Sequence, residues 1–283
     1  MITLFTTPRV FSDPFDIPQR NAIKSWTLLE PKCEIILFGN EEGVAEAAKE
    51  FGVRHVPEIE LNEFKTPIAG AIFNMARKLA NNPLVGYLTG DIILFNDFMK
   101  AVFKMPKDNF LMVSRRWDLS INEKIDFDDN DWEEKIKGEV RKEGKIHSLS
   151  GADCFVFPKD VLGEIPPFIL GSPGGDNWLI YKARTLKIPV IDATEEVTII
   201  HQNHGRPRKN KDFYKFERQK NFELAGGSNS MCSLYDADWV LTPEGLRKPP
   251  FLRRIFSELT LFKPWRYLVT MKRIIQKYLK MNY

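Results

Sequence analysis

The chain has 283 residues, of which 43% are hydrophobic and 28% are charged, so its composition is that of a globular protein rather than a disordered or fibrous one. The formal net charge of +3 is too small at this length to favour nucleic acid as a partner. The three cysteines, Cys33, Cys154 and Cys232, are widely spaced without a CxxC pair, which excludes a zinc ribbon and predicts a reducing compartment.

Short apolar runs alternate with helically spaced segments along the first half of the chain. Residues 2–6, 34–38 and 53–57 are predicted to form strands, and residues 19–29 and 43–51 to form helices between them. This alternation predicts an α/β fold with a mostly parallel sheet flanked by helices on both faces.

A further helix and strand are predicted next. Thr66 followed by Pro67 indicates a helix start with a capping residue and a proline in the first turn. Its predicted buried stripe comprises Ile68, Ile72, Met75 and Leu79. Residues 84–95, LVGYLTGDIILF, are predicted to form one strand with polar residues in its middle.

Beyond this point the pattern is less regular. Residues 118–147 are dense in charge and sparse in apolar periodicity, which predicts an excursion over the surface. Around this excursion we expect strands at 110–114 and 150–158, a helix near Asp176, and a final strand at 189–192 or 197–201.

The sequence changes character near residue 247, where basic residues begin to alternate with large apolar ones and Glu258 is the single acidic residue. We therefore divide the chain into a main domain, residues 1–246, and a basic amphipathic helical tail, residues 247–283. The tail is too charged to span a bilayer but fits the interface of an anionic membrane. The alternative is a terminal helix docked on the domain with its lysines solvated.

Cellular location is predicted from two missing patterns, a secretory signal and an apolar run of about 18 residues. Neither pattern occurs in the sequence. We therefore expect a cytoplasmic protein, either free or peripheral on the inner face of a membrane.

Polar residues follow three of the predicted strands, and ligands of parallel sheets bind beyond such carboxyl ends. These residues are Thr6, Thr7, Gly39, Asn40, Thr89, Gly90 and Asp91. A carboxylate at the mouth of a sheet is costly unless it is paired or binds a cation. Asp91 therefore predicts a site for Mg²⁺ or Mn²⁺ that also contacts a diphosphate, with a turn-capping aspartate as the alternative.

Two histidines, His201 and His204, follow the apolar run 197–200. Neutral imidazole is a common ligand of Mn²⁺ and other borderline metals. We predict that one of the two lies beside Asp91, against the alternative that both are structural or exposed.

Asp176 follows two glycines at the start of a predicted helix. The helix dipole should keep it ionised, so it could accept the proton of an attacking hydroxyl. The alternative is an ordinary helix cap. Asp153 is a candidate for holding a hydroxyl of the acceptor or donor. Trp117 and Trp178 could stack on a sugar ring, although core tryptophans are commoner.

Missing motifs exclude several other classes of α/β enzyme. The sequence has no GxxxxGK[ST] loop, no GxGxxG after its first strand and no nucleophile elbow. A P-loop NTPase, a dinucleotide dehydrogenase and an α/β-hydrolase are therefore not expected. The Gly-rich loop with arginine that sugar nucleotidylyltransferases carry after the first strand is also absent.

Four segments in order, YLTGDIILF, SGADCFVFPKDV, GSPGGDNWLIYKA and TIIHQNH, resemble the GT-A glycosyltransferases over roughly residues 1–245. The Asp-x-Asp motif of that family falls on Thr89, Gly90 and Asp91, and only its last aspartate is kept. The resemblance implies that Asp176 is the general base and His201 the metal histidine, with His204 as the alternative. It also implies a nucleotide pocket lined by Thr6, Thr7, Pro8, Gly39, Asn40, Asn74 and Arg77.

The sequence as a whole predicts a transferase that moves a sugar from a UDP or GDP sugar to a hydroxyl of a glycan or glycolipid. Its expected cofactor is Mn²⁺ or Mg²⁺. Its expected partners are the donor, the acceptor and an anionic membrane contacted by the tail, and no nucleic acid. The alternatives are a sugar nucleotidylyltransferase and a non-catalytic glycan- or membrane-binding protein on a transferase scaffold.

Overall fold

The computed structural model describes residues 1–205 and 211–261, which form two sheets and eight α-helices. The strands are β1 (Ile2–Thr6), β2 (Glu34–Phe38), β3 (Arg54–Val56), β4 (Leu84–Leu88), β5 (Ile92–Ile93), β6 (Leu111–Val113), β7 (Trp117–Leu119), β8 (Lys145–Ile146), β9 (Cys154–Pro158), β10 (Val190–Asp192), β11 (Ile200–Gln202), β12 (Trp239–Thr242) and β13 (Gly245–Arg247). The helices are α1 (Asp16–Thr27), α2 (Val44–Phe51), α3 (Ala69–Leu79), α4 (Asn96–Phe103), α5 (Trp132–Glu143), α6 (Gly175–Thr185), α7 (Lys211–Leu224) and α8 (Phe251–Leu261).

The large sheet has nine strands in the order β13-β12-β10-β6-β9-β4-β1-β2-β3. Most neighbours in it are parallel, whereas β9 runs antiparallel to both β4 and β6, and β13 runs antiparallel to β12. The predicted α/β class with a mostly parallel sheet is therefore confirmed.

Helices cover both faces of the large sheet, and successive residues of each strand therefore enter two different cores. Phe5 packs with α3 and α6 on one face, and Leu4 packs with α1, α2 and α4 on the other. Both side chains are fully buried. Burial on two faces explains why β1 and β2 consist of continuous apolar runs rather than alternating ones. Each such side chain contributes about 1.5–3 kcal/mol relative to an exposed one.

The small sheet has four strands in the order β5-β11-β7-β8. A third core covers one of its faces, where Trp132, Ile136 and Val140 of α5 pack on β5, β7 and β11. The prediction that residues 118–147 form only a surface excursion is therefore wrong. The three buried α5 residues recur every fourth position, but charged residues surround them and hide the stripe in the sequence.

Three other boundaries differ from the prediction. Residues 84–95 form two strands, because the chain turns at Thr89 and enters the small sheet at β5. Helix α3 begins at Ala69 rather than at Thr66, whose hydroxyl donates to Glu217. The predicted final strand is also wrong, because both β10 and β11 form and β12 and β13 follow them.

Helix α8 begins the part of the predicted tail that the structure describes. Buried Arg184 of α6 donates to Glu258 Oε1 at 2.6 Å, contacts Ser257 and lies 3.3 Å from Asp238 Oδ1, so it fixes α8 to the large sheet. Residues 262–283 lie outside the described residues, and the division of the chain at residue 246 stays a prediction. None of the helices within the described ranges is long and apolar enough to cross a bilayer.

Candidate active site

The carboxyl ends of β4, β1 and β2 lie side by side, because these strands are adjacent and parallel. Thr6 pairs with Leu37 of β2, and Phe5 pairs with Tyr87 of β4. The polar residues that follow these three strands therefore share one edge of the large sheet, as predicted. Asp153 joins them from the antiparallel β9, since its carbonyl accepts a hydrogen bond from Thr89 N at 3.2 Å.

Two glycines lie close to other residues of this edge. A Cβ at Gly90 would lie 3.3 Å from Gln19 Oε1 and 3.6 Å from Pro8 Cα, and a Cβ at Gly39 would lie 3.3 Å from Ile59 Cδ1 and 3.6 Å from Thr7 Cγ2. Gly39 also has φ +104°, which other residues rarely adopt. Asn40 follows it and is exposed. The structure thus groups most of the predicted nucleotide-pocket residues.

Two hydroxyls at this edge are short of partners. Thr6 Oγ1 and Thr7 Oγ1 are both buried, and neither has a hydrogen-bond partner among the described residues. An unpaired buried polar group costs about 1–3 kcal/mol. A ligand that accepted hydrogen bonds from these hydroxyls would therefore recover that cost.

Asp91 lies at the centre of a cluster of candidate metal ligands. Its Oδ2 is 2.8 Å from His204 Nε2 and 3.4 Å from His201 Nε2, and its Oδ1 accepts from Thr89 Oγ1 at 2.9 Å. One ligand atom from each of Asp91, His201 and His204 lies within 4.8 Å of the other two. The structure therefore brings together all three residues that the sequence predicts as ligands.

Strand β11 explains this placement. His201 lies within β11, not beyond a strand at 197–200, and it pairs with Ile92, the residue after Asp91. Because side chains alternate along a strand, Gln202 points the other way and is fully buried. Its amide donates to the Asp91 carbonyl at 3.0 Å and to the Pro18 carbonyl at 2.7 Å. One strand thus supplies a candidate ligand and also holds the backbone of another.

The protonation states of Asp91 and His201 favour metal binding, whereas that of His204 opposes it while no metal is bound. Burial opposes ionisation of Asp91, yet the hydrogen bond with His204, the charge of His201 and the bond from Thr89 together hold its pKa below the usual value. Burial lowers the pKa of His201, whereas the hydrogen bond to Asp91 raises the pKa of His204. An anionic carboxylate and a neutral imidazole are the forms that bind metals.

The chemistry of this donor set fits a divalent cation. One carboxylate and two imidazoles suit Mn²⁺ and other borderline ions. The far ring nitrogen of His201, Nδ1, is buried without a hydrogen-bond partner among the described residues, and Asp118 Oδ1 lies 3.2 Å from it. Metal-bound histidines commonly donate this N–H to a carboxylate.

Asp176 is the second residue of α6 and is not its cap. The residue before the helix is Gly174, with φ +124°, which has no side chain to cap with. The carboxylate is reachable by solvent but crowded by protein, and that crowding, with the charge of Asp153, raises the pKa of Asp176 to about 7 against the opposing Arg116. Burial and the charge of Asp153 thus oppose the helix dipole in their effect on this pKa, and the ionised state of Asp176 stays a prediction.

Asp153 lies near both Asp176 and Asp91. Burial raises the pKa of Tyr87 above its usual value, and the charges of Asp176, Asp153 and Asp91 raise it further. The three carboxylates therefore lie around the same residue, Tyr87. Arg116 Nη1 donates to Asp153 Oδ2 at 2.5 Å and balances its charge.

Both tryptophans predicted to stack on sugar belong to cores instead. Trp117 alternates with Asp118 along β7, so it faces the core of the small sheet and packs with Ile200. Trp178 is 8% exposed and packs edge-on against Phe168, with ring centres 5.2 Å apart. Their predicted role in binding a sugar therefore has no support in the geometry.

Arg77 and Asn74 also lie away from the cluster. Arg77 Nη1 donates to the Gly163 carbonyl at 2.6 Å and to Asn74 Oδ1 at 3.5 Å. Gly163 lies shortly after Pro158, the last residue of β9, and Pro158 pairs with Leu84 at the amino end of β4. Arg77 is therefore bound near the opposite edge of the sheet from Asp91.

Sequence reasoning missed three residues beside the cluster, Arg116, Asp118 and His147. Asp118 Oδ2 accepts from His147 Nδ1 at 2.8 Å, and Asp118 Oδ1 accepts from Arg116 Nε at 2.9 Å. In the sequence, the signal for Arg116 and Asp118 is that these two charged residues flank Trp117 at the start of a strand. A cavity of about 240 Å³, lined in part by Asp13, Asn203 and His204, adjoins the cluster.

The sequence matches no protein-family model and no curated protein. Similar folds occur among solved structures. Glucosyl-3-phosphoglycerate synthase from Mycobacterium tuberculosis, in complex with Mg²⁺ and UDP, is 16% identical with a TM-score of 0.48, over 80% of this chain and 78% of that one. A mannosyltransferase from Pyrobaculum calidifontis, in complex with GDP-mannose and Mn²⁺, is 13% identical with a TM-score of 0.47, over 79% of this chain and 62% of that one.

Proposed function

We propose that the protein is a metal-dependent glycosyltransferase that moves a sugar from a nucleoside diphosphate sugar to a hydroxyl acceptor, a glycan or a glycolipid. The observation that carries the proposal is the cluster of Asp91, His201 and His204 at the carboxyl edge of the large sheet. This cluster adjoins the buried hydroxyls of Thr6 and Thr7 on one side and the carboxylates of Asp153 and Asp176 on the other.

The donor would bind across the ends of β1, β2 and β4. The hydroxyls of Thr6 and Thr7, and Gly39 and Gly90, would line its binding site. Asp91, His201 and His204 would hold Mn²⁺ or Mg²⁺, which when bound neutralises the charge that develops on the leaving diphosphate.

Asp176 would act as the general base of an inverting reaction. The acceptor oxygen forms its bond to the anomeric carbon while the bond to the diphosphate breaks, and the acceptor proton passes to Asp176. Because its pKa is about 7, a large fraction of Asp176 is deprotonated at neutral pH and remains basic enough to take a proton. Asp153, which is paired with Arg116, would accept a hydrogen bond from a sugar hydroxyl.

A thermal-shift panel of nucleotide sugars, each with and without Mn²⁺, tests the proposal. We expect one UDP or GDP sugar at 100 times its Kd to raise the Tm by about 5 °C only when Mn²⁺ is present. NMR of the product formed with that donor should then show an inverted anomeric centre. The absence of any Mn²⁺-dependent shift would contradict the proposal, and release of pyrophosphate from a nucleoside triphosphate and a sugar phosphate would instead identify a nucleotidylyltransferase.

We also propose that α8 contacts an anionic membrane surface at the inner face of a membrane. Phe251 and Leu252 are 70% and 67% exposed, Ile255 and Phe256 are 40% and 50% exposed, and Arg254 lies among them. An apolar helix face with basic residues fits the interface of such a bilayer. The basic composition of residues 262–283 agrees with it.

Sedimentation with phosphatidylserine vesicles tests this surface. Replacing Phe251 and Phe256 together by aspartate should reduce binding to the vesicles at least several-fold. Two aromatic rings that would enter the bilayer are lost, and two negative charges are added. Phe103→Asp is the matched control, since Phe103 is 61% exposed on α4. Equal sedimentation of both variants and the unmodified protein would contradict the proposal.

A further inference from the structure

One row of the small sheet runs through the proposed metal site. Ile92 of β5, which follows Asp91, pairs with His201 of β11, His201 pairs with Asp118 of β7, and Asp118 pairs with Lys145 of β8. His201 is therefore flanked on one side by the strand that begins after Asp91 and on the other by Asp118.

The carboxylate of Asp118 is held on both oxygens. Oδ2 accepts from His147 Nδ1 at 2.8 Å, and Oδ1 accepts from Arg116 Nε at 2.9 Å. Its side chain is only 23% exposed. These contacts fix the carboxylate in one orientation, with Oδ1 also 3.2 Å from His201 Nδ1.

His147 is itself confined by the backbone. A Cβ at Gly151 would overlap the His147 ring at Cδ2 and Nε2, so the ring packs directly against the backbone of residue 151. The His147 backbone N–H also donates to the Arg116 carbonyl at 2.9 Å. His147 is thus held by its backbone and by Gly151, although its side chain is 32% exposed.

We propose that Asp118 is a positioning residue for His201, an inference that rests on the metal site of the proposed function. Asp118 Oδ1 lies 3.2 Å from His201 Nδ1, which is buried and has no hydrogen-bond partner among the described residues, so a small rotation of the ring would let Nδ1 donate to it. Nε2 of the same ring lies 3.4 Å from Asp91 Oδ2. A carboxylate behind a ligand histidine fixes the ring and its tautomer and makes the ring a better donor to a metal. Arg116 extends this support to Asp153, so the metal side and the acceptor side share one network.

Titration of the full chain with Mn²⁺ alone, followed by calorimetry, tests the inference without requiring activity. We expect Asp118→Ala to weaken Mn²⁺ binding about 10- to 100-fold, because loss of a carboxylate behind a ligand histidine has effects of that size. Asp118→Asn should give a smaller loss, since its amide oxygen still accepts one hydrogen bond. Lys145→Ala, one strand further along the same row and exposed, is the matched control and should leave the affinity unchanged.

A spectroscopic signature separates positioning from a general structural role. Pulsed EPR of bound Mn²⁺ should show nitrogen couplings from two imidazoles in the unmodified protein and a weakened or lost coupling in Asp118→Ala. If Asp118→Ala lowers the Tm, Asp118→Asn decides, because it preserves the volume of the side chain. Equal Mn²⁺ affinity and equal nitrogen couplings in all variants would overturn the inference alone, whereas no Mn²⁺ binding by the unmodified protein would overturn the proposed metal site as well.

Discussion

The two sheets differ in how they are buried and in which residues of the candidate site they carry. The large sheet buries both of its faces against helices and offers the ends of β4, β1 and β2 as a rim. The small sheet has strands of two or three residues, one apolar face, and a second face that carries Asp118 and His201. Most of the buried core lies on the large sheet, and the candidate metal site lies where the two sheets meet.

This difference shows how a protein can place several charged groups side by side. In the large sheet a charged residue within a central strand would enter an apolar core, so the polar residues of the candidate site lie where its strands end. In the small sheet the paired strands β11 and β7 carry an imidazole, His201, and a carboxylate, Asp118, at the same level. Asp91 lies where the chain passes from one sheet to the other.

The largest effect is expected at that junction. Asp91→Ala should abolish donor binding and reduce transfer by about 10³-fold or more, because the variant loses the central ligand and the charge stabilisation that depends on it. Release of nucleoside diphosphate and donor calorimetry measure this, with the exposed Asp128→Ala as control. Full turnover in Asp91→Ala would show that the rim does not bind the donor through a metal.

Asp176→Asn should lower turnover by about 10²- to 10⁴-fold while donor affinity is retained, because a general base acts only in the chemical step. In the unmodified protein the rate should rise with pH through about 7 and then level off, as Asp176 loses its proton. The raised pKa means that the folded state favours protonated Asp176, so this stabilisation is present at acid pH and is lost as the pH rises through 7. The Tm advantage of the asparagine variant should therefore be larger at pH 8 than at pH 5, and a pH-independent rate would reassign the base.

A pair of core substitutions compares the two sheets directly. Trp132→Ala, in the small-sheet core, and Phe73→Ala, in the large-sheet core, should each cost about 3 kcal/mol in unfolding free energy. Only Trp132→Ala is expected to weaken Mn²⁺ binding at temperatures where both variants are folded, because Trp132 supports β5, β7 and β11. Urea unfolding and Mn²⁺ calorimetry give the two quantities, and similar losses of Mn²⁺ affinity would mean that the sheets do not act separately.

The smallest effect is expected far from the rim. Arg77→Ala should change donor affinity by less than about twofold and cost about 1 kcal/mol in stability, because it removes a hydrogen bond to the Gly163 carbonyl at the opposite edge. Calorimetry with the donor provides the measurement. A loss of donor affinity comparable with that of Asp91→Ala would place Arg77 in the nucleotide pocket after all.

Much of the large sheet could be predicted from the sequence because burial on both faces leaves an unbroken apolar run in β1, β2 and β4. Strands of two or three residues leave no comparable pattern, so the small sheet was missed even though α5 repeats its apolar residues every fourth position. Ends of predicted strands indicated Asp91, His201 and His204 as neighbours.

The rest of the site depends on tertiary register. Asp118 and His201 meet only because β7 and β11 pair, and nothing local in either segment reveals that. The positions of Trp117 and Trp178 could not be settled because a tryptophan that packs in a core and one that stacks on a sugar look alike in a sequence. Arg77 was misplaced because its partner, the Gly163 carbonyl, is a backbone group.

The turn from Thr89 to Asp91 has one more consequence. The Asp91 carbonyl accepts a hydrogen bond from Gln202, and the Asp91 carboxylate contacts His201 and His204. The geometry of the cluster therefore persists only while both sheets stay assembled. The EPR signal of a paramagnetic ion bound there would therefore report whether the two sheets remain joined.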